Sequence, residues 1–290
     1  VLHTLPRGLL TSRVPIRLGA EFFGHAGPEA DVELICLMHR TLEEAQINEV
    51  HLVLGHVGIF RTLVDVAGLN EHTEQGLFSA LQRKAYEEID QILEQSVTDV
   101  KVRDMLFRLS RLSGDEEILS EAMQTFADAP AQVQRELQDL QAIAAGVRDK
   151  LPGATLCFDL CELRGYEYHT GIVFAAYTPE YGRAVAKGGR YDHIGEVFGR
   201  ARPASGFDTD LKVLATLSHR EFSRSPGILA PHVSDPQLSD VIAKLRESGE
   251  TVIVNFNSEP QAPLAELNCD RVLVNEQGTW VVRQINNETD

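Results

Sequence analysis

The fold is indicated first by a short stretch near the start of the chain, Ile16-Arg17-Leu18-Gly19-Ala20-Glu21-Phe22-Phe23. Because side chains of a strand alternate between two faces, this stretch predicts a β-strand with Arg17 and Glu21 on one face. The opposite face would carry the apolar residues Ile16, Leu18, Ala20 and Phe22. A guanidinium and a carboxylate on one sheet face suit the carboxylate and the amine of an amino acid. The alternative is an exposed ion pair between strands, which contributes little to stability.

The composition is that of a globular protein, with 43% apolar and 24% charged residues among 290. No apolar run approaches the roughly 20 residues that a transmembrane helix needs. The net charge of −16 argues against non-specific nucleic-acid binding, which requires clustered Lys and Arg. We therefore expect no nucleic-acid partner and no membrane partner.

The cysteines lack the spacing of a metal site, since Cys157 and Cys161 have neither a second pair nor a histidine pair to complete one. We expect reduced thiols in a cytoplasmic protein, with no metal and no cofactor. The first residues, Val1-Leu2-His3-Thr4, carry no signal-peptide pattern and no initiator Met. We expect the chain to be incomplete at its N-terminus.

Changes in composition divide the chain into a core over residues 1–222 and a small C-terminal α/β domain over residues 223–290. Within the core, residues 71–150 show helical spacing and no strand-like alternation, which predicts an inserted helical unit. Breaks are expected near Thr98-Asp99, Ser113-Gly114 and Pro130. One continuous apolar face would carry Leu77, Leu81, Ala85, Ile89, Leu93 and Val97.

The residues after the insertion return to strand patterns, so the fold class is α+β. Residues 155–161, 171–177 and 183–187 predict three consecutive antiparallel strands. Residues 206–217 predict a helix, with Ser205 and Asp208 as a capping pair in its first turn. In the C-terminal domain, Asp235-Pro236 and Gly249 mark the ends of a helix. Residues 251–256, 270–275 and 279–285 are strand candidates.

Two further clusters are candidates for a binding site, and the side chains of the first suit a small polar ligand. The first is Leu163-Arg164-Gly165-Tyr166-Glu167-Tyr168-His169-Thr170-Gly171-Ile172-Val173-Phe174, which places a guanidinium, tyrosines and an imidazole in one bend. The second is Lys187-Gly188-Gly189-Arg190-Tyr191-Asp192, whose glycines permit a close approach of the backbone. The alternative for the first cluster is a turn with aromatic residues at its rim.

In this order, the segments resemble the catalytic core of histidyl-tRNA synthetase. They resemble more closely its non-catalytic paralogue, the regulatory subunit of ATP phosphoribosyltransferase. The resemblance covers residues 1–217 and is clearest at residues 18–27, 54–60 and 168–177. It implies a class II synthetase-like fold, in which helices flank an antiparallel sheet that carries a helical insertion. It also implies that the chain begins just before the second motif of the family.

The third synthetase motif departs from its usual form, G-F-x-x-G-L-E-R. Here the segment reads Gly206-Phe207-Asp208-Thr209-Asp210-Leu211-Lys212-Val213. Val213 stands where the resemblance places an arginine for the γ-phosphate of ATP, and Asp210 stands where it places a glycine. An apolar side chain cannot replace a phosphate-binding guanidinium, and a carboxylate repels triphosphate. We therefore expect no catalytic activity.

The amino-acid pocket is expected to survive, because Glu21, Arg164 and Tyr191 match positions that contact histidine in the synthetases. Arg13 matches an arginine of the second motif. Arg17 stands in place of a usual glutamine and His169 in place of a second tyrosine. The candidate histidine-binding residues are Glu21, Arg13, Arg17, Arg164, Tyr168, His169 and Tyr191.

The function implied by the resemblance is that of a regulatory subunit. Its partner would be the short catalytic subunit of ATP phosphoribosyltransferase, with a homodimer of this chain inside a hetero-oligomer. It would activate that subunit and help mediate feedback inhibition by histidine in the first step of histidine biosynthesis. The alternatives are a histidyl-tRNA synthetase core with a degenerate third motif and a free-standing histidine-sensing protein.

Overall fold

The computed structural model describes residues 14–220, 225–256 and 267–285, with no side-chain detail at residues 197 and 198. The chain divides into two units, Val1–Arg220 and Glu221–Asp290. Across the described ranges, no helix combines the length and the apolar character that crossing a membrane requires.

A mixed sheet of seven strands forms the centre of the described part of the first unit. Its strands are β1 (Arg17–Phe23), β2 (His51–His56), β3 (Ser113–Gly114), β4 (Thr155–Asp159), β5 (Ile172–Thr178), β6 (Tyr181–Arg190) and β7 (Ala204–Asp210). The spatial order is β1-β7-β6-β5-β2-β4-β3. Neighbouring strands are antiparallel except for β2 and β4, which are parallel.

Helices precede, interrupt and follow these strands. They are α1 (Pro28–Glu44), α2 (Val57–Ala67), α3 (Glu71–Gln82), α4 (Tyr86–Ser96), α5 (Val100–Leu109), α6 (Glu117–Thr125), α7 (Ala131–Lys150) and α8 (Leu211–Leu217), with a short 3-10 turn at Ile194–Phe198. In α1, Ile35, Met38 and Leu42 recur at helical spacing and are fully buried. Such apolar stripes join the helices and the sheet in one core.

The segment over residues 71–150 contains five helices, but its apolar face is not continuous. Residues 77–97 form α3 and α4, which are separated at Lys84, where φ is +52°. Leu77 and Ile89 still lie in the same core. The short strand β3 also lies in this segment, paired with β4. Two residues are too few to show alternation, so only the distant partner strand reveals β3.

The predicted helix over residues 206–217 is wrong in its first half, because residues 204–210 form β7 between β1 and β6. Ser205 does not cap a helix; its hydroxyl donates to the carboxylate of Asp31 at 2.5 Å. The cap of α8 is Asp210, which accepts from the backbone N–H of Lys212 at 3.1 Å. Pairing on both sides satisfies the backbone of β7, and this tertiary pairing overrides the local capping signal.

The three strands predicted after the insertion form, but the first two are not neighbours. Strand β2 lies between β4 and β5, and β4 runs parallel to β2. A parallel pair needs a long crossover connection, which the helices between β2 and β4 provide. The sequence pattern of a single strand carries no information about which distant strand becomes its neighbour.

The second unit contains a four-stranded sheet within its described residues. Its elements are β8 (Gly227–Pro231), α9 (Pro236–Glu247), β9 (Val252–Asn255), β10 (Cys269–Glu276) and β11 (Thr279–Gln284). The predicted ends of α9 are confirmed, since Asp235 accepts from Gln237 N at 2.9 Å and Gly249 has a φ of +89°. Strand β8, which begins at Gly227, was not predicted.

Candidate functional site

A cavity of about 390 Å³ opens on the face of the sheet that carries Glu21. Strands β1, β5, β6 and β7 form its floor, and the β4–β5 loop and the residues after β6 form its walls. This volume is within the usual range for small-molecule sites, about 300–1,000 Å³. The predicted site residues that line it are Glu21, Arg164, Tyr168, His169 and Tyr191.

The other two predicted residues are not among the residues lining this cavity. Arg17 points its guanidinium at Asp208 on β7, with Nη1 2.6 Å from Oδ1. This is the cross-strand ion pair that the sequence left open as an alternative for Arg17. Arg13 lies outside the described residues.

Glu21 supplies a carboxylate to the cavity and lies opposite Gly206 in the β1–β7 register. A Cβ at residue 206 would collide with the Glu21 carboxylate, so glycine at this position leaves room for that side chain where it now lies. Burial, and then the negative charge of Asp208, raise the pKa of the Glu21 carboxyl. A ligand that brings a positive charge or an N–H donor would offset both effects.

Arg164 is held in place by Glu162. Its Nε and Nη2 lie 3.1 Å and 2.6 Å from the two Glu162 carboxylate oxygens, and Nη2 also donates to the Tyr177 hydroxyl. These bonds use Nε and Nη2, and within the described residues no bond from Nη1 is seen, which leaves Nη1 for a ligand carboxylate. A guanidinium held by a second residue is pre-organised to bind an acid.

His169 forms part of the wall as a neutral ring that contacts the Tyr168 ring, with ring centroids 4.3 Å apart and the ring planes tilted by 41°. Burial lowers its pKa to about 4. Its Nδ1 lies 3.2 Å from the carbonyl oxygen of Arg190, which only accepts, so the ring proton is assigned to Nδ1 and Nε2 is an acceptor. Gly165, with φ at +71°, makes room for both rings.

Two helices hold the loop that carries these residues. Arg61 on α2 donates to the carbonyl oxygens of Tyr166 and His169, at 2.6 Å and 3.1 Å. The Tyr166 hydroxyl donates to Glu74 on α3 at 2.5 Å. The helical insertion is therefore in direct contact with the wall of the cavity.

Sequence reasoning did not select three charged residues of the cavity as binding residues, Glu162, Lys187 and Asp208, although Lys187 lies in the second candidate cluster. Asp208 was assigned to a helix cap, and only its position in β7 places it on the same face as Glu21. Strand alternation along β6 and β7, once those strands are known, identifies both Lys187 and Asp208. No local signal in the sequence identifies Glu162 as the partner of Arg164.

The arrangement is complementary to a small zwitterion. Carboxylates such as Glu21 attract an amine or an imidazole N–H, the Arg164 guanidinium attracts a carboxylate, and the rings of Tyr168 and His169 can cover a flat apolar group. Val213, where the synthetase pattern has a phosphate-binding arginine, lies half-buried in α8. The cavity thus retains groups for an amino acid without that arginine.

Comparison with known proteins gives consistent matches along the chain. The Histidyl-tRNA synthetase family model matches residues 1–214, and the model of the ATP phosphoribosyltransferase subunit HisZ C-terminal domain matches residues 225–283. An ATP phosphoribosyltransferase regulatory subunit from Chromohalobacter salexigens is 48% identical over 273 residues, which are 94% of this chain and 69% of that protein.

Two solved structures share the fold. The ATP phosphoribosyltransferase regulatory subunit/histidyl-tRNA synthetase from Bacillus halodurans superposes with a TM-score of 0.70 at 24% identity, over 88% of this chain and 67% of that one. The ATP phosphoribosyl transferase (HisG:HisZ) complex from Thermotoga maritima contains a chain with a TM-score of 0.54 at 19% identity, over 68% and 66% of the two chains. The synthetase-like fold expected from the sequence is confirmed, and the chain belongs to the family of ATP phosphoribosyltransferase regulatory subunits.

Proposed function

We propose that this chain assembles with the short catalytic subunit of ATP phosphoribosyltransferase and activates it, with no catalytic activity of its own. In this proposal the chain also helps to transmit feedback inhibition by histidine in the first step of histidine biosynthesis. It acts as a homodimer within a hetero-oligomer in the cytoplasm. The core over residues 1–222 carries the histidine pocket, and residues 223–290 form a separate domain.

One observation carries the proposal: the cavity contains groups that suit an amino acid, whereas the third motif of the chain lacks the phosphate-binding arginine. Glu21 and Arg164 face a cavity large enough for histidine. Val213 takes the arginine position, and loss of such a contact typically costs several kcal/mol of transition-state stabilisation. A pocket that binds histidine without forming its adenylate is suited to sensing histidine.

Histidine would bind between Glu21, Arg164, Tyr168 and Tyr191, with His169 in the wall. Binding can inhibit only if histidine has a higher affinity for a less active state of the assembly. Arg17 is proposed to act at the edge of this pocket through its ion pair with Asp208. Arg13 stays a proposed histidine-binding residue.

The experiment mixes the full-length protein with the short catalytic subunit from the same organism. Size-exclusion chromatography with light scattering measures assembly, and formation of phosphoribosyl-ATP is assayed with and without histidine. We expect a hetero-oligomer, higher activity than that of the catalytic subunit alone, and inhibition by histidine. Two separate peaks with unchanged activity would contradict the proposal.

The pocket is tested by Glu21→Gln, which removes the negative charge and keeps the side-chain shape. We expect the histidine concentration for half-inhibition to rise about tenfold or more, because a carboxylate in contact with a charged group is worth roughly 1.5–3 kcal/mol. Activation without histidine should be retained. The control is Glu87→Gln on the exposed face of α4, and equal loss of activation and inhibition in Glu21→Gln would show a structural role instead.

Histidine-dependent ATP–pyrophosphate exchange by this chain tests the synthetase alternative. We expect no exchange, because Val213 cannot bind a phosphate. Exchange above background would establish the synthetase reaction and overturn the non-catalytic assignment. Histidine binding without any assembly would instead favour a free-standing sensor.

A further inference from the structure

The floor of the cavity described above carries charged side chains on three neighbouring strands. In the strand registers, Glu21 on β1 faces Gly206 on β7, and Gly206 faces Gly189 on β6. Lys187 lies two residues before Gly189 on β6 and faces Asp208 on β7. Because residues two apart point to the same side of a sheet, Glu21, Asp208 and Lys187 share one face, and all three line the cavity.

Two of the charges at the cavity are already compensated by ion pairs within the protein. Asp208 pairs with Arg17, with 2.6 Å between Arg17 Nη1 and Asp208 Oδ1. The Arg164 guanidinium pairs with Glu162, with 2.6 Å between Arg164 Nη2 and Glu162 Oε2. A ligand in the cavity therefore meets little net charge at either pair.

The charges of Glu21 and Lys187 are not compensated in this way. Within residues 14–220, neither side chain forms a hydrogen bond or an ion pair. Burial, and to a smaller extent the positive charge of Lys187, lower the pKa of His169 to about 4, so the lysine ammonium acts on the wall of the cavity. The described part of the cavity thus offers one uncompensated negative group and one uncompensated positive group.

The strand spacing sets the distance between these two groups. Glu21 and Lys187 lie two strands apart across the sheet and two residues apart along it, which places their Cα atoms about 12 Å from each other. Both side chains reach into the same cavity. A small zwitterion that lies between them can therefore contact Glu21 with its positive end and Lys187 with its negative end.

We propose that Lys187 is a specificity-determining residue that binds the carboxylate of the amino acid, while Glu21 binds the positively charged end. This inference deepens the proposed histidine pocket and rests on it. Arg164 supports the same carboxylate, but its charge is balanced by Glu162, whereas the charge of Lys187 is not. The cavity therefore requires a free carboxylate on its ligand, because a decarboxylated amine would place only positive charge beside Lys187.

Arg17 is a positioning residue in this arrangement. Asp208 and Lys187 face each other across β7 and β6, and opposite charges at facing positions of a sheet attract each other. The Arg17 guanidinium holds the Asp208 carboxylate instead, which leaves the Lys187 ammonium to the ligand. The cross-strand ion pair thus shapes the charge of the cavity, beyond its small contribution to stability.

The test is isothermal titration calorimetry of the full-length protein with histidine and with histamine, which lacks the carboxylate. The variant is Lys187→Met, which keeps a long side chain without its charge, and the control is Lys101→Met on the exposed surface of α5. We expect Lys187→Met to raise the Kd for histidine about five- to tenfold, because a charge pair in a partly exposed pocket lies between surface and buried pairs in strength. The Kd for histamine should not rise, and Lys101→Met should keep both wild-type values.

Lys187→Arg keeps the positive charge and should retain the preference for histidine. An unchanged Kd for histidine in Lys187→Met, or an equal rise for histidine and histamine, would overturn the role of Lys187 and leave the histidine pocket in place. Absence of histidine binding by the wild-type protein would instead contradict the pocket itself, and this assignment with it.

Arg17→Gln tests the positioning role. We expect the Kd for histidine to rise several-fold, because Asp208 is then free to pair with Lys187. Adding Asp208→Asn to this variant should restore the wild-type Kd, which would not happen if Arg17→Gln had damaged the fold. A Kd that is unchanged by Arg17→Gln, or that Asp208→Asn fails to restore, would overturn the role assigned to Arg17.

Discussion

Asp31 and Arg190 form a buried ion pair that joins the first turn of α1 to the end of β6. Arg190 Nη2 and Nε lie 2.7 Å and 3.2 Å from Asp31 Oδ2, and the Ser205 hydroxyl donates to Oδ1. Arg190 also donates to the carbonyl oxygen of Gly27 at 3.0 Å. Its backbone carbonyl accepts from the amide of Thr170, in the β4–β5 loop, at 2.8 Å. One residue thus links the start of α1 to the loop that forms a wall of the cavity.

Replacing Asp31 by Ala is expected to lower the free energy of unfolding by about 3–5 kcal/mol, because Arg190 would remain buried without its counter-charge. Ser205→Ala removes one hydrogen bond to the same carboxylate and should cost about 1.5–3 kcal/mol. Urea unfolding followed by circular dichroism measures both changes. A cost for Asp31→Ala no larger than that for Ser205→Ala would contradict the central role of the ion pair.

Tyr166→Phe should loosen the contact between the helical insertion and the pocket loop, since it removes the hydroxyl that donates to Glu74. A hydrogen bond to a charged acceptor contributes about 1.5–3 kcal/mol, so the unfolding free energy should fall by about 1.5 kcal/mol. The matched control is Tyr181→Phe on β6, because the Tyr181 ring packs on the same core. Equal losses of unfolding free energy in the two variants would show that removing either tyrosine hydroxyl has the same effect. The hydrogen bond to Glu74 would then not explain the loss.

The stability of the first unit should decrease as the pH falls from about 6.5 to about 5. Burial lowers the pKa of His56 to about 3 and that of His169 to about 4. In the unfolded chain both rings take up a proton near pH 6.5, whereas in the folded protein they stay neutral. The unfolded state binds more protons in this window, so each ring reduces the unfolding free energy by up to about 1.4 kcal/mol per pH unit.

Urea unfolding at several values between pH 5 and pH 6.5 measures this slope. His169→Gln should reduce it by up to about 1.4 kcal/mol per pH unit, because one of the two groups is removed. The control is His72→Gln, on the exposed surface of α3, which should keep the wild-type slope. A slope unchanged by His169→Gln would mean that this ring is already protonated in the folded state.

Trp280 is the only tryptophan of the chain and reports on the second unit. Its Nε1 donates to Asp235 Oδ2 at 2.7 Å, while Oδ1 of the same carboxylate caps α9. Asp235→Ala removes both bonds, so the transition seen by tryptophan fluorescence should move to lower urea concentration by an amount equivalent to about 1–3 kcal/mol. The large-unit transition seen by circular dichroism should stay in place. A parallel shift of both transitions would show that the two units unfold together.

Local sequence patterns were sufficient to predict the features that depend on neighbouring residues in the chain. The alternation around Arg17 and Glu21 predicted β1, and the cap at Asp235 together with Gly249 predicted the ends of α9. The order of the motifs also indicated the family, because a series of segments in order is far more specific than any one of them. For the same reason, the candidate residues from three distant segments could be grouped into one hypothetical pocket.

Tertiary structure decided the features that depend on partners far apart in sequence. Residues 204–210 became a strand because β1 and β6 both pair with them, and this placed Asp208 against Arg17 and in the cavity with Glu21. The same pairing turned Ser205 toward Asp31. His56 and Glu136 lie 80 positions apart in the sequence, and both side chains approach Gly58 only because α7 packs against the sheet. The sequence alone therefore determined the family and the elements that depend on local patterns. Long-range backbone pairing and packing determined the remaining strands and which charges meet, because the energy of a buried polar group depends on its neighbours in space.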